Sequence, residues 1–145
     1  MAEKTIDLKD FIREVPDFPK AGILFRDITP LLADAGALAA AIDALSDPFV
    51  DAGVDVVAAV EARGFIFGSA VAERLSAGFV PIRKKGKLPF ETESVSYALE
   101  YGADTVEVHR DAVAPGAKVL MVDDLLAGVY ALVILQLLAF AFTAP

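Results

Sequence analysis

Two adjacent carboxylates, Asp123 and Asp124, directly follow the apolar run "VLMV". Paired carboxylates at the end of a strand can accept hydrogen bonds from neighbouring hydroxyls of a ribose, or hold Mg²⁺ through water. The stretch "VEARGF", residues 60–65, places Arg63 where a strand passes into a helix. Backbone N–H groups at a helix N-terminus and a guanidinium together can bind a phosphate. A solvated, charged turn is the plainer interpretation of each stretch, and both interpretations stay open on these residues alone.

Two further stretches carry candidate residues. "SYALEYG" places Glu100 on a strand edge, where a partly desolvated carboxylate can accept or give a proton near neutral pH. An exposed glutamate without such a role is the commoner case. In "GILFRDITP", Phe25 and Arg26 occupy a predicted loop, where the Phe25 ring can stack on a flat base or simply anchor the loop to the core. The one histidine, His109, is predicted to be a surface residue without a role.

Composition limits the chemistry that these residues can perform. The 145 residues are 56% hydrophobic, which is enough for one core and predicts a single domain over residues 1–145. The absence of cysteine excludes disulfides and cysteine-ligated zinc, and a single histidine argues against a histidine-rich metal site. A net charge of −8 with dispersed acidic residues argues against a nucleic-acid surface. The N-terminus shows no secretory pattern, so a cytoplasmic protein is expected.

The hydrophobic periodicity predicts the elements that position these residues. A helix is predicted over "IDLKDFIREV", a loop over "PDFPKAGILFRDITPLL" and a helix over residues 35–50. "VDVVAAV", "EARGFIFGSAVAERLSAG" and "FVPIRK" then form a strand, a helix and a strand, the unit that builds parallel sheets. A mobile loop over "KKGKLPFETES", a hairpin over "VSYALEYGADTVEVHRD" and a last strand before "DDLLA" complete the pattern. The fold class is therefore α/β, with a central, mostly parallel sheet flanked by helices and an antiparallel flap.

Five stretches, taken in this order and spacing, resemble one enzyme family. They are "PDFPKAGILFRDITPLL", "EARGFIFG", "IRKKGKLP", "SYALEYG" and "VDDLLA". The set resembles the adenine phosphoribosyltransferases of the type I phosphoribosyltransferase family, over about residues 7–127. The resemblance implies the type I fold, a cytoplasmic homodimer and a reaction of adenine with 5-phosphoribosyl 1-pyrophosphate that gives AMP and pyrophosphate. It also implies Mg²⁺ as cofactor, held mainly through substrate and water and not by a dedicated set of side chains.

The resemblance implies that cations face the pyrophosphate and carboxylates face the ribose. Arg63, Lys87 and Mg²⁺ would take the leaving pyrophosphate, and Tyr101 would line the same side. Asp123 and Asp124 would hold the ribose hydroxyls. This division suits the chemistry, because breaking the bond at C1 of the ribose develops positive charge on the sugar and negative charge on the leaving group.

The resemblance also implies how the base is held. Glu100 would be the catalytic residue, hydrogen-bonding N7 of the purine and managing its proton. Phe25 would stack on the adenine ring while the backbone of Arg26 helps to read the edge of the ring. Ala127 would be a further contact with the substrate, and a cis peptide is expected at Ala62–Arg63.

The sequence departs from the family pattern after Ala127. The family continues with a Thr-Gly-Gly-Thr type of loop around the 5′-phosphate, whereas Gly128 here is followed by "VYALVILQLLAFAFTAP". Three or four missing charge-assisted hydrogen bonds, at about 1.5 to 3 kcal/mol each, predict weak binding of that phosphate. The tail can be a packed replacement, the result of a deletion or frame change, or an incomplete record of a longer enzyme.

Two functions of other classes stay open at this point. A non-catalytic nucleotide-binding or regulatory protein can use the same scaffold, and the missing phosphate loop favours that alternative. A membrane anchor formed by residues 129–142 is the other, but this run is shorter than the roughly 20 residues of a membrane-spanning helix. A buried core helix is therefore the preferred interpretation of the run, with no membrane partner expected.

Overall fold

The chain divides into two units, Met1–Pro48 and Phe49–Pro145, in a computed structural model that describes residues 6–99 and 102–122. Within these residues, the first unit holds a two-stranded sheet with helices, and the second holds a five-stranded sheet of parallel and antiparallel strands with one α-helix. The predicted α/β class is confirmed, whereas the single domain over residues 1–145 stays a prediction. Within the described ranges, no helix is long and apolar enough to cross a membrane.

The N-terminal unit is built from a short hairpin and two α-helices. In chain order its elements are the 3₁₀ helix Leu8–Phe11, β1 Arg13–Pro16, β2 Leu24–Asp27, α1 Thr29–Ala33 and α2 Ala35–Ser46. β1 and β2 pair antiparallel along their whole length. α2 begins where the Asp34 carboxylate accepts a hydrogen bond from the backbone N–H of Ala37, at 2.8 Å. This side-chain cap satisfies one of the N–H groups that an α-helix leaves without a partner in its first turn.

Two predictions for this unit are wrong. The helix predicted over "IDLKDFIREV" shrinks to the 3₁₀ helix Leu8–Phe11, because the residues that follow pair with β2 instead. The loop predicted over "PDFPKAGILFRDITPLL" contains β2 and α1. The pairing of β1 with β2 overrides the local pattern of both strands. The helix predicted over residues 35–50 is confirmed as α2, which gives way to a 3₁₀ turn at Asp47–Phe49.

The described part of the C-terminal unit is a mixed sheet with an α-helix packed on it. Its elements are β3 Val56–Val60, α3 Arg63–Arg74, β4 Gly78–Lys84, β5 Thr92–Leu99, β6 Gly102–His109 and β7 Val119–Val122. The strand order is β5-β6-β4-β3-β7. β3 runs parallel to β4 and β7, and β6 runs antiparallel to β4 and β5. The predicted strand-helix-strand unit and the predicted hairpin are therefore confirmed as β3-α3-β4 and β5-β6.

The core of this unit lies along β3. Val57, Ala58 and Ala59 are almost completely buried, as expected of an apolar run with neighbours on both faces. Strands β4 and β6, which follow one another on one side of β3, add further buried residues, namely Val80, Ile82, Val106 and Val108. The loop predicted over "KKGKLPFETES" is wrong at its end, because β5 already begins at Thr92 and pairs with β6.

Candidate active site

The turn between β3 and α3 carries the "VEARGF" stretch. β3 ends at Val60, and α3 begins at Arg63 after only two residues. The peptide bond Glu61–Ala62 is cis, so the cis bond expected at Ala62–Arg63 lies one position earlier. Ala62 gives the helix no side-chain cap. The first-turn N–H groups of an α-helix favour an anion, and half-buried Arg63 adds a guanidinium at the same point.

Two glycines allow α3 to lie close to the sheet. A Cβ atom on Gly68 would lie 2.6 Å from the Cβ atom of Ala59, and one on Gly64 would lie 3.0 Å from the carbonyl oxygen of Val122. Ala59 and Val122 are direct neighbours on the parallel strands β3 and β7. Because these strands end at the same edge, the start of α3 and Arg63 lie at the edge where α/β sheets bind ligands.

A bidentate ion pair joins the β3–α3 turn to β4. Arg83 Nη2 lies 2.9 Å from Glu61 Oε1, and Arg83 Nε lies 3.1 Å from Glu61 Oε2. Each side chain is about one third exposed, at 33% for Arg83 and 30% for Glu61. The interpretation of Glu61 as a merely solvated residue is therefore wrong. Two parallel N–H···O bonds fix the mutual orientation of the two side chains.

The ion pair shifts the pKa of both partners. The pKa of Glu61 is lowered, first by the hydrogen bonds from Arg83, against the opposing effect of burial. The positive charges of Arg83 and Lys87 and a hydrogen bond from the Lys84 backbone lower this pKa further. The pKa of Arg83 is raised, mainly by the same hydrogen bonds to Glu61. Glu61 therefore stays ionised at neutral pH, close to the start of α3.

Lys87 lies on the exposed turn after β4. The turn is closed by a hydrogen bond from Lys87 N to Lys84 O at 3.2 Å. Arg83 Nη1 also donates to Lys87 O, at 3.4 Å. Gly86 N donates to the buried Glu107 carboxylate at 2.9 Å. Arg83 is thus bonded both to the turn that presents Lys87 and to Glu61. Glu61 in turn lies two residues before Arg63.

The structure places Phe25 and Arg26 on β2, in the N-terminal unit, and not in a loop. The Phe25 ring contacts the Phe18 ring edge to face, with 5.1 Å between the centroids. Arg26 Nε lies 4.0 Å from Glu14 Oε1 across the hairpin, and both side chains are more than half exposed. The contact with Phe18 agrees with the anchoring interpretation of Phe25, while its stacking on a base stays a prediction.

The other predicted site residues lie outside the described ranges. These residues are Glu100, Tyr101, Asp123, Asp124 and Ala127. Their roles remain predictions. Of the four described site residues, Arg63 and Lys87 belong to the C-terminal unit and Phe25 and Arg26 to the N-terminal unit.

His109 is predicted to be a surface residue, but its side chain is partly buried. Its ring is partly buried and lies 6.2 Å from the Phe90 ring in an edge-to-face contact. Its Nε2 atom is buried and has no hydrogen-bond partner among the described residues. Across that same part of the chain, no group of three or more His, Cys, Asp or Glu residues is arranged to hold a metal ion.

Curated relatives share most of the sequence. No protein-family model matches the chain. An adenine phosphoribosyltransferase of Methylobacterium nodulans is 63% identical over 120 residues, which are 83% of this chain and 66% of that protein. One of Bradyrhizobium sp. strain ORS 278 is 62% identical over 122 residues, 84% of this chain and 68% of that protein. The chain thus spans about two thirds of the length of these relatives.

Solved structures share the fold. Adenine phosphoribosyltransferase from Thermoanaerobacter pseudethanolicus matches with a TM-score of 0.79 at 53% identity, over 88% of this chain and 76% of that chain. The enzyme from Saccharomyces cerevisiae, crystallised with an imino-altritol bisphosphate and adenine, matches with a TM-score of 0.74 at 39% identity, over 79% of this chain and 67% of that chain. The fold of the described residues is therefore that of type I phosphoribosyltransferases.

Proposed function

Because this chain belongs to the adenine phosphoribosyltransferase family, we propose that it transfers the phosphoribosyl group of 5-phosphoribosyl 1-pyrophosphate to adenine. The products are AMP and pyrophosphate, so the reaction recovers a free purine base as a nucleotide. The observation that carries the proposal is the high identity to adenine phosphoribosyltransferases over more than four fifths of the chain. The position of Arg63 at the ligand-binding edge of the sheet supports it.

The cationic residues act on the leaving pyrophosphate in this proposal. Departure of pyrophosphate from C1 of the ribose concentrates negative charge on its oxygens, and fixed cations stabilise that charge in the transition state. Arg63, at the first turn of α3, and Lys87, on the turn after β4, are the residues assigned to this role. The Glu61–Arg83 pair supports the assignment, because it bonds the turn of Lys87 to the turn that leads into α3.

The base and the ribose are assigned to the remaining predicted residues. Phe25 stacks on adenine and Arg26 reads its edge through the backbone. Glu100 is the proton-handling residue at N7 of the purine. The carboxylates Asp123 and Asp124 hold the ribose hydroxyls, which are hydrogen-bond donors that suit an acceptor-only group.

Tyr101 and Ala127 complete the proposed contacts with the substrate. Tyr101 lines the pyrophosphate side, and Ala127 belongs to the segment that follows the two carboxylates. Mg²⁺ is the proposed cofactor, and when bound it neutralises the oxygens of the pyrophosphate. The cation prefers oxygen ligands and keeps several waters, so substrate oxygens suit it without a dedicated protein cage. A cytoplasmic homodimer is the proposed form of the protein.

Specificity for adenine is the most direct test of the substrate. Initial rates of nucleotide formation are measured with adenine, hypoxanthine and guanine, each with 5-phosphoribosyl 1-pyrophosphate and Mg²⁺. We expect kcat/KM for adenine to exceed that for the other two bases at least about 100-fold, because a site that hydrogen-bonds the base edge rejects a base with other donors and acceptors. Equal use of hypoxanthine or guanine would overturn the assignment of adenine.

Two glutamate variants complete this experiment. Glu100→Ala is expected to lower kcat about 10²- to 10⁴-fold, the range in which a positioned acid or base contributes. Glu93→Ala is the matched control, because Glu93 lies on β5 and pairs with Arg110 at 2.7 Å, both at least half exposed. AMP that binds to the wild-type protein without any turnover would favour a non-catalytic nucleotide-binding protein instead.

A further inference from the structure

The end of β4 concentrates positive charge. Four cations lie within the five residues 83–87, namely Arg83, Lys84, Lys85 and Lys87. Like charges this close repel one another, so the turn needs counter-charges to keep one conformation. Glu61 pairs with Arg83, and Asp104 Oδ2 lies 3.1 Å from Lys84 Nζ. A third carboxylate, Glu107, faces the turn from β6.

Glu107 is unusual because it is a buried carboxylate. Its exposure is 8%, a level that glutamate rarely shows unless the charge is compensated. It lies directly opposite Arg83 in the antiparallel pairing of β4 with β6. Its neighbours Val106 and Val108 alternate to the other face of the strand and belong to the hydrophobic core. Both faces of β6 are therefore buried at this point, and one of them carries the carboxyl group of Glu107.

The bond that Glu107 makes holds the main chain of the turn. Gly86 has a φ of +80°, in the left-handed region, and its N–H donates to Glu107 Oε2 at 2.9 Å. A carboxylate that accepts from a backbone N–H forms a stronger bond than a neutral acceptor does. The next residue, Lys87, is held through its carbonyl oxygen by Arg83. The main chain is thus hydrogen-bonded on both sides of the Gly86–Lys87 peptide, at Gly86 N and at Lys87 O.

We propose that Glu107 is a positioning residue for pyrophosphate: by holding the N–H of Gly86, it fixes the turn that presents Lys87. This inference rests on the proposed function, because it assumes that Lys87 contacts the leaving pyrophosphate. Glu107 itself does not touch the substrate in this account. Loss of its carboxylate releases the turn while leaving Lys87 in the chain, so the cation is present but no longer pre-organised.

The test compares three variants of the purified protein. Glu107→Ala removes the acceptor, Glu107→Gln keeps an acceptor oxygen without the charge, and Glu93→Ala removes an exposed carboxylate from the neighbouring strand. The affinity for pyrophosphate in the presence of Mg²⁺ is measured by calorimetry, and the hydrogen exchange of the Gly86 amide is measured by NMR. We expect Glu107→Ala to bind pyrophosphate about tenfold more weakly, because Lys87 is then no longer held in one position before the ligand binds. Its Gly86 amide should exchange at least tenfold faster.

The controls separate positioning from general stability. Glu107→Gln should bind pyrophosphate within about threefold of the wild-type protein, and Glu93→Ala should match it in both measurements. Equal affinity of Glu107→Ala and the wild-type protein would overturn the inference, as would an unchanged exchange rate at Gly86 or a wild-type protein that binds no pyrophosphate. A wild-type protein that binds pyrophosphate in this pattern but forms no AMP would overturn the proposed function alone.

Discussion

Arg83 connects two segments that lie far apart in sequence. Its guanidinium reaches Glu61, 22 residues earlier, with two nitrogens and the carbonyl oxygen of Lys87 with a third. The pairing leaves Glu61 ionised, because its hydrogen bonds to Arg83 outweigh the cost of partial burial and lower its pKa. A neutral side chain at position 61 would lose the charge that pairs with Arg83, and at most part of the two hydrogen bonds would remain. The charge of Glu61 therefore contributes to the stability of the ligand-binding edge.

The contribution of Glu61 to stability depends on pH in a defined direction. Its pKa is lower in the folded protein than its ordinary value of 4.5, so the stabilisation is fully present above pH 4.5 and is lost as the pH falls through the folded pKa. We expect Glu61→Gln to lower the urea midpoint at neutral pH, and the difference from the wild-type protein to shrink as the pH falls below 4.5. A difference of constant size over this range would contradict the assignment. Glu93→Gln is the control, since exposed ion pairs contribute little.

Elements follow the sequence where their hydrophobic pattern is local. The switch from a short apolar run to helical spacing predicts β3 and α3. The two runs of β-prone residues around Gly102 predict the β5–β6 hairpin. The β1–β2 hairpin is not predictable in this way, because its pairing replaces a helical pattern with bonds to residues further along the chain, from Pro16↔Leu24 to Arg13↔Asp27. Glu107 is missed for a related reason. A glutamate between two valines suggests an exposed strand face, and the sequence does not show that Gly86, on the turn after β4, donates to this carboxylate.

The sequence predicts the positions of site residues better than it predicts their contacts. Arg63 lies where the sequence predicts it, at the end of a parallel strand and the start of a helix. The partners of Glu61 and Gly86 were not predictable, because both bonds join residues about twenty positions apart that only the sheet brings together. The sequence predicts a loop at Phe25, whereas pairing with β1 makes this stretch a strand.

Close packing between α3 and β3 gives a stability test at the scale of elements. Alanine at position 68 would bring its Cβ atom within 2.6 Å of Ala59 Cβ, so α3 and β3 must move apart. We expect Gly68→Ala to lower the unfolding free energy by up to about 2 kcal/mol, because a clash of roughly 1 to 3 kcal/mol is only partly offset by a gain in helix propensity of about 1 kcal/mol. Urea denaturation measures the change.

A second helix glycine is the control for this substitution. In α2, a Cβ atom on Gly36 would lie 3.2 Å from Ile6 Cδ1 and 3.3 Å from Asp34 Oδ1, both of them side-chain atoms, and not 2.6 Å from the Cβ of a strand residue. Gly36→Ala gains the same helix propensity and should therefore lose less stability than Gly68→Ala. The reverse order of the two variants would contradict the proposed close approach of α3 to β3.

The C-terminal unit exposes several large apolar side chains on its sheet and on α3. In the C-terminal unit, Ile66, Phe79 and Val119 are 36% to 44% exposed. Burial of such surface between identical subunits favours association, usually around a two-fold axis. We expect sedimentation equilibrium to give twice the mass of the single chain at micromolar concentration. A monomer mass that persists up to high micromolar concentration would contradict the proposed homodimer.

Conversion of adenine to AMP is the central activity proposed for this protein. The most direct measurement follows labelled adenine and 5-phosphoribosyl 1-pyrophosphate with Mg²⁺ and the purified protein, with the phosphoribosyl donor raised until the rate saturates. The account predicts that adenine disappears as AMP and pyrophosphate appear in equal amounts, and that neither product forms when one substrate is omitted. Unchanged adenine at saturating donor concentration, in a folded protein that binds AMP, would contradict it.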